Sequence, residues 1–445
     1  MDLLERQGLQ RFVALLVDWS LCSSDQRGYD PEFYRREEED PWFVRIPGLD
    51  GQEARTYKIV THLVASDRLF GRHTRCFKAM ECLPSDPTGK DSSNNSSNFG
   101  PPVVIKDAWA YSKEDLMDDT RDEVGFLQTI GNELPKHTGD VLYPELLGGG
   151  RVSFEYSDTG ATVDDTTASI LGDLYNSEGV DGKVPISFRA HKRLVMSPVG
   201  EPLKTAKSFD ELIAVLADAM LCYDAVWRHC GILHRDISDN NILVVRQGER
   251  VRGLLIDFDN AITNREQSAT RPGRTGTFPF MSINNLENEG VPRTALDDWE
   301  SLLYVLCFYA TVGLECTGRR EKSDRERLPI RKWSTGYAED VAGSKRQHLS
   351  SRGIFDKEIT RHFYSAGVDE RAVSRLKDLA RKLYSALFRN PRCDSRCYGT
   401  SGDYEMLEGE EVFIDPFVER AKEKNVKVIV EDLVAIVSRY QSNLA

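Results

Sequence analysis

The chain reads as an α+β protein in two parts, a smaller strand-rich part followed by a larger, mainly helical one. Up to about residue 197 the apolar residues fall in short runs of strand length, such as VVIK at 103–106 and the stretch that begins HKRLVMS at 191. After Ser208 the spacing changes: ELIAVLADAMLCYDAVW at 211–227 repeats apolar residues at three and four, which gives a helix one buried face. The length of 445 residues allows a large core and suggests two or three folding units.

Residues 1–50 form an extension with an amphipathic start (Leu3, Leu4, Leu9, Phe12 and Leu15) and a solvated REEED run at 36–40. Residues 51–197 carry the strands, interrupted by LPSDPTGKDSSNNSSNFGPP at 83–102, a low-complexity insert too polar to enter a core. Between the strands, the pattern from Ser112 to about Ile130 is helical and puts Leu116, Glu123 and Leu127 on one face. Glu123 then points inward, where a charge is costly unless paired. Residues 198–400 make the helical part; its longest apolar run, LLYVLCFYATVGL at 302–314, is too short to cross a bilayer and reads as a buried helix. Residues 401–445 are a tail whose segment 415–440 reads as an amphipathic helix, packed by default.

Composition excludes some classes of function. A net charge of -13 argues against nucleic acid or an anionic membrane as main partner, because counterion release needs clustered Lys and Arg. Nine cysteines, an odd number scattered from Cys22 to Cys397, do not read as a disulfide framework, and Cys393 and Cys397 lack the second pair that zinc requires. The start MDLLERQGLQRF lacks the basic and apolar pattern of a signal peptide. Reduced thiols and an intracellular location, cytoplasmic or nuclear, are expected; nothing in the sequence fixes an oligomeric state.

The chemistry is concentrated in two strings. HRDISDNN at 234–241 sets an acid and an amide on a loop between two strand-like runs, and LLIDFD at 254–259 brings a second acid to the end of the next strand. His234, Arg235, Asp236 and Asn241 match the H-R-D-x-x-x-x-N loop of protein kinases residue for residue. With LFGRHTRCFKA at 69–79, VVIKDAW at 103–109, RTGTFPFM at 274–281 and DWESLLYVL at 298–306, the chain resembles the fungal-type protein kinase family across residues 69–306. The resemblance implies a bilobal protein kinase-like fold, a small β-rich lobe with one key helix and a larger helical lobe, with ATP and Mg2+ in the cleft. It also implies transfer of the γ-phosphoryl group to a hydroxyl of a protein substrate, serine or threonine.

On that resemblance Asp236 is the base that takes the hydroxyl proton, and Asn241 and Asp257 are the metal ligands. Lys106, at the end of VVIK, contacts the phosphates and pairs with Glu123, although Glu114 and Asp119 are nearby competitors. Met196 stands at the gatekeeper position of the adenine pocket, and Ser197 or Val199 offers main-chain contacts that Pro198, without an N–H, cannot. Gly71 belongs to the phosphate-covering loop. Arg235 is the receptor for a phosphate in the segment 257–284, whose Arg265, Arg271, Arg274, Ser268, Thr270 and Thr275 make control by phosphorylation chemically feasible. His234, Thr277 and Asp298 support the catalytic loop, and capping alone would also place acids at Asp297 and Asp298.

The match has departures. The glycine loop keeps only Gly71, with His73 and Cys76 at the later glycine positions, so the backbone approaches phosphate less closely. Ser238 replaces the usual lysine, Asp259 the glycine of D-F-G, and Asn284 the glutamate of A-P-E. Two alternatives therefore stay open: a pseudokinase scaffold that binds partners without transfer, and a small-molecule phosphotransferase of the aminoglycoside or choline kinase type. The GTFPFM segment favours a protein acceptor over the second of these.

Overall fold

The structure, a computed structural model, describes residues 13, 17, 30–35, 37–65, 73–83, 99–111, 122–155, 162–171, 188–263, 276–287, 292–314, 321–363, 369–389, 403–407, 410–414 and 423–442. The chain divides into two compact units, residues 1–114 with 147–199, and residues 115–146 with 200–445. The first carries an antiparallel sheet and the second is mainly helical.

The first unit is built on strands β1 (Phe33–Tyr34), β2 (Phe43–Ile46), β3 (Arg55–Ala65), β4 (Arg75–Cys82), β5 (Phe99–Tyr111), β6 (Glu145–Arg151), β7 (Ser153–Glu155), β8 (Thr162–Asp164) and β9 (Arg189–Ser197). Seven of them form one sheet in the order β1-β2-β3-β4-β5-β9-β6, with β7 and β8 as a separate hairpin. Val44, Ile46, Tyr57, Phe77, Ala79, Val103, Ile105 and Val195 alternate onto one face and form its core. The insert read at 83–102 ends earlier than its composition suggests: Phe99 and Pro102 already pair with Cys82 and Met80. Proline next to a register shift costs the ladder little there.

Across β5 and β9, Asp107 stands opposite Arg193, and Trp109 opposite His191. Asp107 is almost fully buried and is surrounded by cations: His191 Nε2 at 2.6 Å, Arg193 at 3.3 Å, and Arg75. The other ring nitrogen of His191 lies 2.8 Å from Asp165, while Arg193 also pairs with Asp30. With a carboxylate at each nitrogen, His191 can donate to both only as an imidazolium. Burial alone would lower its pKa, but the hydrogen bonds to Asp107 and Asp165 outweigh that and hold it above the ordinary 6.5. Burial likewise pushes Asp107 up, and the same cations overcome it, holding its carboxyl well below the usual carboxylate range.

The second unit opens with helix α1 (Glu123–His137). Asp122 caps it, its side chain accepting from Gly125 N–H at 3.1 Å, so the described helix begins at Glu123 and runs past the expected end near Ile130. Leu116, Glu114 and Asp119 lie outside the described residues. Helix α2 (Phe209–Ala225) starts at Ser208, whose hydroxyl accepts from Glu211 N–H, and passes into a π-helical turn at Val226–Cys230 before Gly231 ends it in the left-handed region. Strand β10 (Glu201–Pro202) precedes α2, and β11 (Ile232–Leu233), β12 (Ile242–Gln247), β13 (Arg250–Leu255) and β14 (Ile262–Thr263) follow it, with β10-β12-β13 as one small sheet and β11-β14 as another. Helix α2 lies so close on β13 that a Cβ at Gly253 would sit 1.9 Å from the carbonyl oxygen of Val215, which requires glycine.

Helix α3 (Ile283–Glu287) leads to α4 (Ala295–Val312), whose Thr294 and Asp297 form a capping box. Nearly every residue of α4 is buried, as its apolar run predicts. Helices α5 (Ala338–Leu349) and α6 (Glu370–Phe388) complete the body. In the tail, a hairpin not expected from the residue pattern pairs 403–407 with 410–414, and helix α7 (Glu423–Ser442) packs against α2 and α6. Ile429, Val430, Leu433 and Val437 are its buried stripe, and Gln441 donates to Asp218 at 2.5 Å. Asp218 is itself tied to Arg252 at 2.6 Å and to Gly253 N–H at 3.0 Å, so the tail helix closes a buried polar network. Among the described residues no helix is long and apolar enough to cross a membrane, and Cys76, Cys82, Cys222, Cys230 and Cys307 are free thiols.

Candidate active site

The loop between β11 and β12 is held from beneath by one acid. Asp298, in the first turn of α4, accepts from His234 N–H and Arg235 N–H, both at 2.9 Å. Burial raises its carboxyl pKa, partly offset by His234, Tyr223 and the Arg235 amide. His234 is fully buried and spans the loop with its ring: Nε2–H donates to the Ile256 carbonyl at 3.0 Å, while Nδ1 accepts from Asp236 N–H at 3.3 Å. Those partners assign the neutral tautomer with the proton on Nε2.

Two residues of these motifs adopt a left-handed backbone that non-glycine residues rarely take: Arg235 and Asp257, each with φ of 68°. Each costs about 1–3 kcal/mol and persists only where neighbours over-determine it. For Arg235 those neighbours are visible: its N–H is held by Asp298 and its carbonyl accepts from Arg293 at 3.1 Å.

The result is a fixed carboxylate. Asp236 Oδ1 accepts from the Thr277 hydroxyl at 2.9 Å, and Oδ2 accepts from the Asn260 amide at 3.0 Å. Asn241 donates its amide to the main-chain oxygen of Asp236 at 2.8 Å, which leaves its own carbonyl oxygen as the atom able to meet a cation. Asn260 was not foreseen; as a polar residue after a strand-end acid it carries no signal beyond a turn. Arg293 was missed for the same reason, since only tertiary structure brings it to the loop.

Glu123, Asp257 and Asp259 each offer a carboxylate oxygen, all within 4.8 Å of one another. Hard oxygen donors of this kind suit Mg2+. Glu123 is nearly fully buried at the start of α1 and accepts from Phe258 N–H at 3.1 Å, which ties that helix to the strand-end motif. Asp259, read from sequence as a departure, thus joins the acids. Ser238 is buried, and its hydroxyl has no hydrogen-bond partner among the described residues.

The remaining expected residues lie in the sheet unit. Lys106 is buried in the middle of β5, opposite Cys76 on β4 and Leu194 on β9. Met196 pairs with Val104 at the end of β9, and Val199 is half-buried just beyond it. Gly71 and the activation-segment positions Arg265, Ser268, Thr270, Arg271, Arg274 and Thr275 lie outside the described residues. A family model described as fungal protein kinase matches residues 3–137 and 155–310, well over half of the chain.

Proposed function

Because the chain belongs to the fungal protein kinase family, we propose that it transfers the γ-phosphoryl group of ATP, with magnesium, to a serine or threonine hydroxyl of a protein. The observation that carries this reading is the Asp236 carboxylate, held on both oxygens by Thr277 and Asn260. A base for this reaction must be aimed before the acceptor arrives, because positioning supplies most of the rate. An acceptor hydroxyl would take over one of those two hydrogen-bond positions and pass its proton to Asp236 as the oxygen–phosphorus bond forms.

Asp257 and the carbonyl oxygen of Asn241 are the proposed ligands of the metal, with Asp259 close enough to Asp257 to add a second acid. Magnesium, when bound, would neutralise charge on the phosphate oxygens. Lys106 would contact the α and β phosphates, Met196 and the main chain near Val199 would line the adenine site, and Arg235 and Asp298 keep the loop in place. The bilobal architecture, with residues 51–197 and 198–400 as its lobes, belongs to the same proposal. Five free thiols among the described residues support a reducing, intracellular location.

A pseudokinase scaffold is the second reading, favoured by His73 and Cys76 in place of loop glycines. Heat stability separates the two. ATP with magnesium should stabilise the wild type more than ATP alone does, and at a hundredfold excess over Kd its stabilisation over the ligand-free protein is about 2.7 kcal/mol. Asp257→Ala should lose the magnesium increment. A melting temperature indifferent to ATP with magnesium over a wide range would replace the enzyme by the scaffold.

A further inference from the structure

Asn284 cannot supply the buried acid expected at its position, yet the segment that carries Thr277 is firmly held. The hold comes from a side chain 61 positions away in sequence. Lys345, on α5, is completely buried. Its Nζ donates to the carbonyl of Pro279 at 2.9 Å and to that of Met281 at 2.6 Å. The same ammonium lies 4.1 Å from the centroid of the Tyr304 ring and 5.8 Å from that of Trp333. Two carbonyl oxygens and two aromatic faces are what a desolvated ammonium needs, and each is negative where it meets the charge.

An acid completes the arrangement from α4. Glu300 is fully buried; its Oε1 accepts from Ile283 N–H at 2.7 Å and from the Tyr304 hydroxyl at 2.5 Å. Ser282 donates to Asp297 at 2.6 Å, and Phe280 packs edge-on to Phe308. Residues 279–283 are thus pinned by a cation at two carbonyls and by acids at the next two residues. Two residues before this clamp begins at Pro279, Thr277 reaches Asp236, and Phe280 N–H bonds back to the Thr277 carbonyl at 2.9 Å. A shift at Pro279 or Met281 therefore moves Thr277.

We propose that Lys345, with Glu300, is a positioning residue of the transfer site, setting Thr277 and the adjoining backbone where the acceptor hydroxyl must lie. The inference rests on the kinase reading above. Its expected signature is a loss confined to the acceptor side. A misplacement of about 1 Å costs on the order of a hundredfold in rate. Lys345→Met keeps the length of the stem while removing the charge.

The test uses the full chain, with labelled ATP, magnesium and a mixed library of serine- and threonine-containing peptides. Lys345→Met should lower kcat/KM for peptide by about a hundredfold, while the magnesium-dependent ATP stabilisation stays as in the wild type. Val341→Ala, a cavity in the same helix, serves as the control for mere destabilisation: it should lower the melting temperature and leave kcat/KM for peptide unchanged below it. If Lys345→Met does not fold, Glu300→Gln takes its place, since it retains the acceptor oxygen but removes the charge facing Lys345, and a smaller loss of the same kind is expected. Peptide transfer equal to wild type in the folded variant overturns the proposal. Equal losses in Lys345→Met and Val341→Ala at matched stability also overturn it. Absence of any transfer by the wild type would instead bring down the kinase reading itself, and this inference with it.

Discussion

Replacing Asp298 by alanine tests how the loop at 234–241 is held. The carboxylate is 4% exposed and satisfies two backbone donors, His234 N–H and Arg235 N–H, each at 2.9 Å. Alanine leaves both amides buried without an acceptor, at about 1–3 kcal/mol each, so the loss lies at about 2–6 kcal/mol. Relaxation of Arg235 from its left-handed backbone returns part of that, because the strain of about 1–3 kcal/mol is no longer enforced. A net destabilisation of about 3 kcal/mol corresponds to a fall in Tm of roughly 6–12 °C for a unit of this size. Asp298→Asn retains one carbonyl acceptor and should lose about half as much. Urea unfolding followed by tryptophan fluorescence reads the stability, and amide exchange at His234 and Arg235 reads the loop. A change below about 0.5 kcal/mol, the range of an ordinary surface substitution, together with unaltered exchange at both amides would show that Asp298 does not hold the loop.

Other parts of the structure give equally direct outcomes. Leu433→Ala in α7 should destabilise by about 2.7–5 kcal/mol, because the tail helix is docked on α2 and α6 and the side chain is fully buried; an effect near zero in urea unfolding would show the helix undocked. The His191 cluster predicts a pH window. His191, with pKa raised, contributes stability that is present below its ordinary 6.5 and is lost as pH rises through its folded value. Asp107, with pKa lowered, contributes stability present above its ordinary 3.8 and lost as pH falls towards its folded value. The contribution of the cluster is therefore greatest between these two ordinary values, and His191→Gln should abolish the wild type's extra loss of urea resistance above pH 6.5; parallel profiles would contradict it. Lys106→Met should lower phosphoryl transfer even at saturating ATP, since a phosphate contact made in the transition state is not recovered by filling the site. Full recovery at high ATP would reduce Lys106 to ordinary substrate binding.

The loop at 234–241 was legible because its chemistry is local. His234, Asp236 and Asn241 lie within eight residues, and the hydrogen bonds among them follow from that spacing. Asp298 was legible through the string it opens, whose resemblance implied that it holds the backbone of the loop, although not that the amides are those of His234 and Arg235. What escaped was everything that distance in sequence conceals: Asn260 and Arg293 at the loop, Lys345 and Glu300 under the following segment, and the charge cluster around Asp107. Single polar residues inside helices or strands carry no periodic signal, and only the packing of separate elements brings them together. The helical pattern from Ser112 is met from Glu123 onward, where Asp122 caps the described turn, and residues 112–121 lie outside the described residues. Asp259 read as a departure at a glycine position that adds an acid close to the metals, and the structure places it with Asp257 and Glu123 among oxygen donors.

The proposed phosphoryl transfer depends on Asp236 acting as the base. Its most direct test is transfer of labelled phosphate from ATP with magnesium to serine- and threonine-containing protein acceptors, comparing the wild type with Asp236→Asn. The amide keeps the shape and the contacts available to Thr277 but cannot take a proton, so transfer should fall by about 10²–10⁴-fold while magnesium-dependent binding of ATP is retained. Equal transfer by the two proteins would contradict the account.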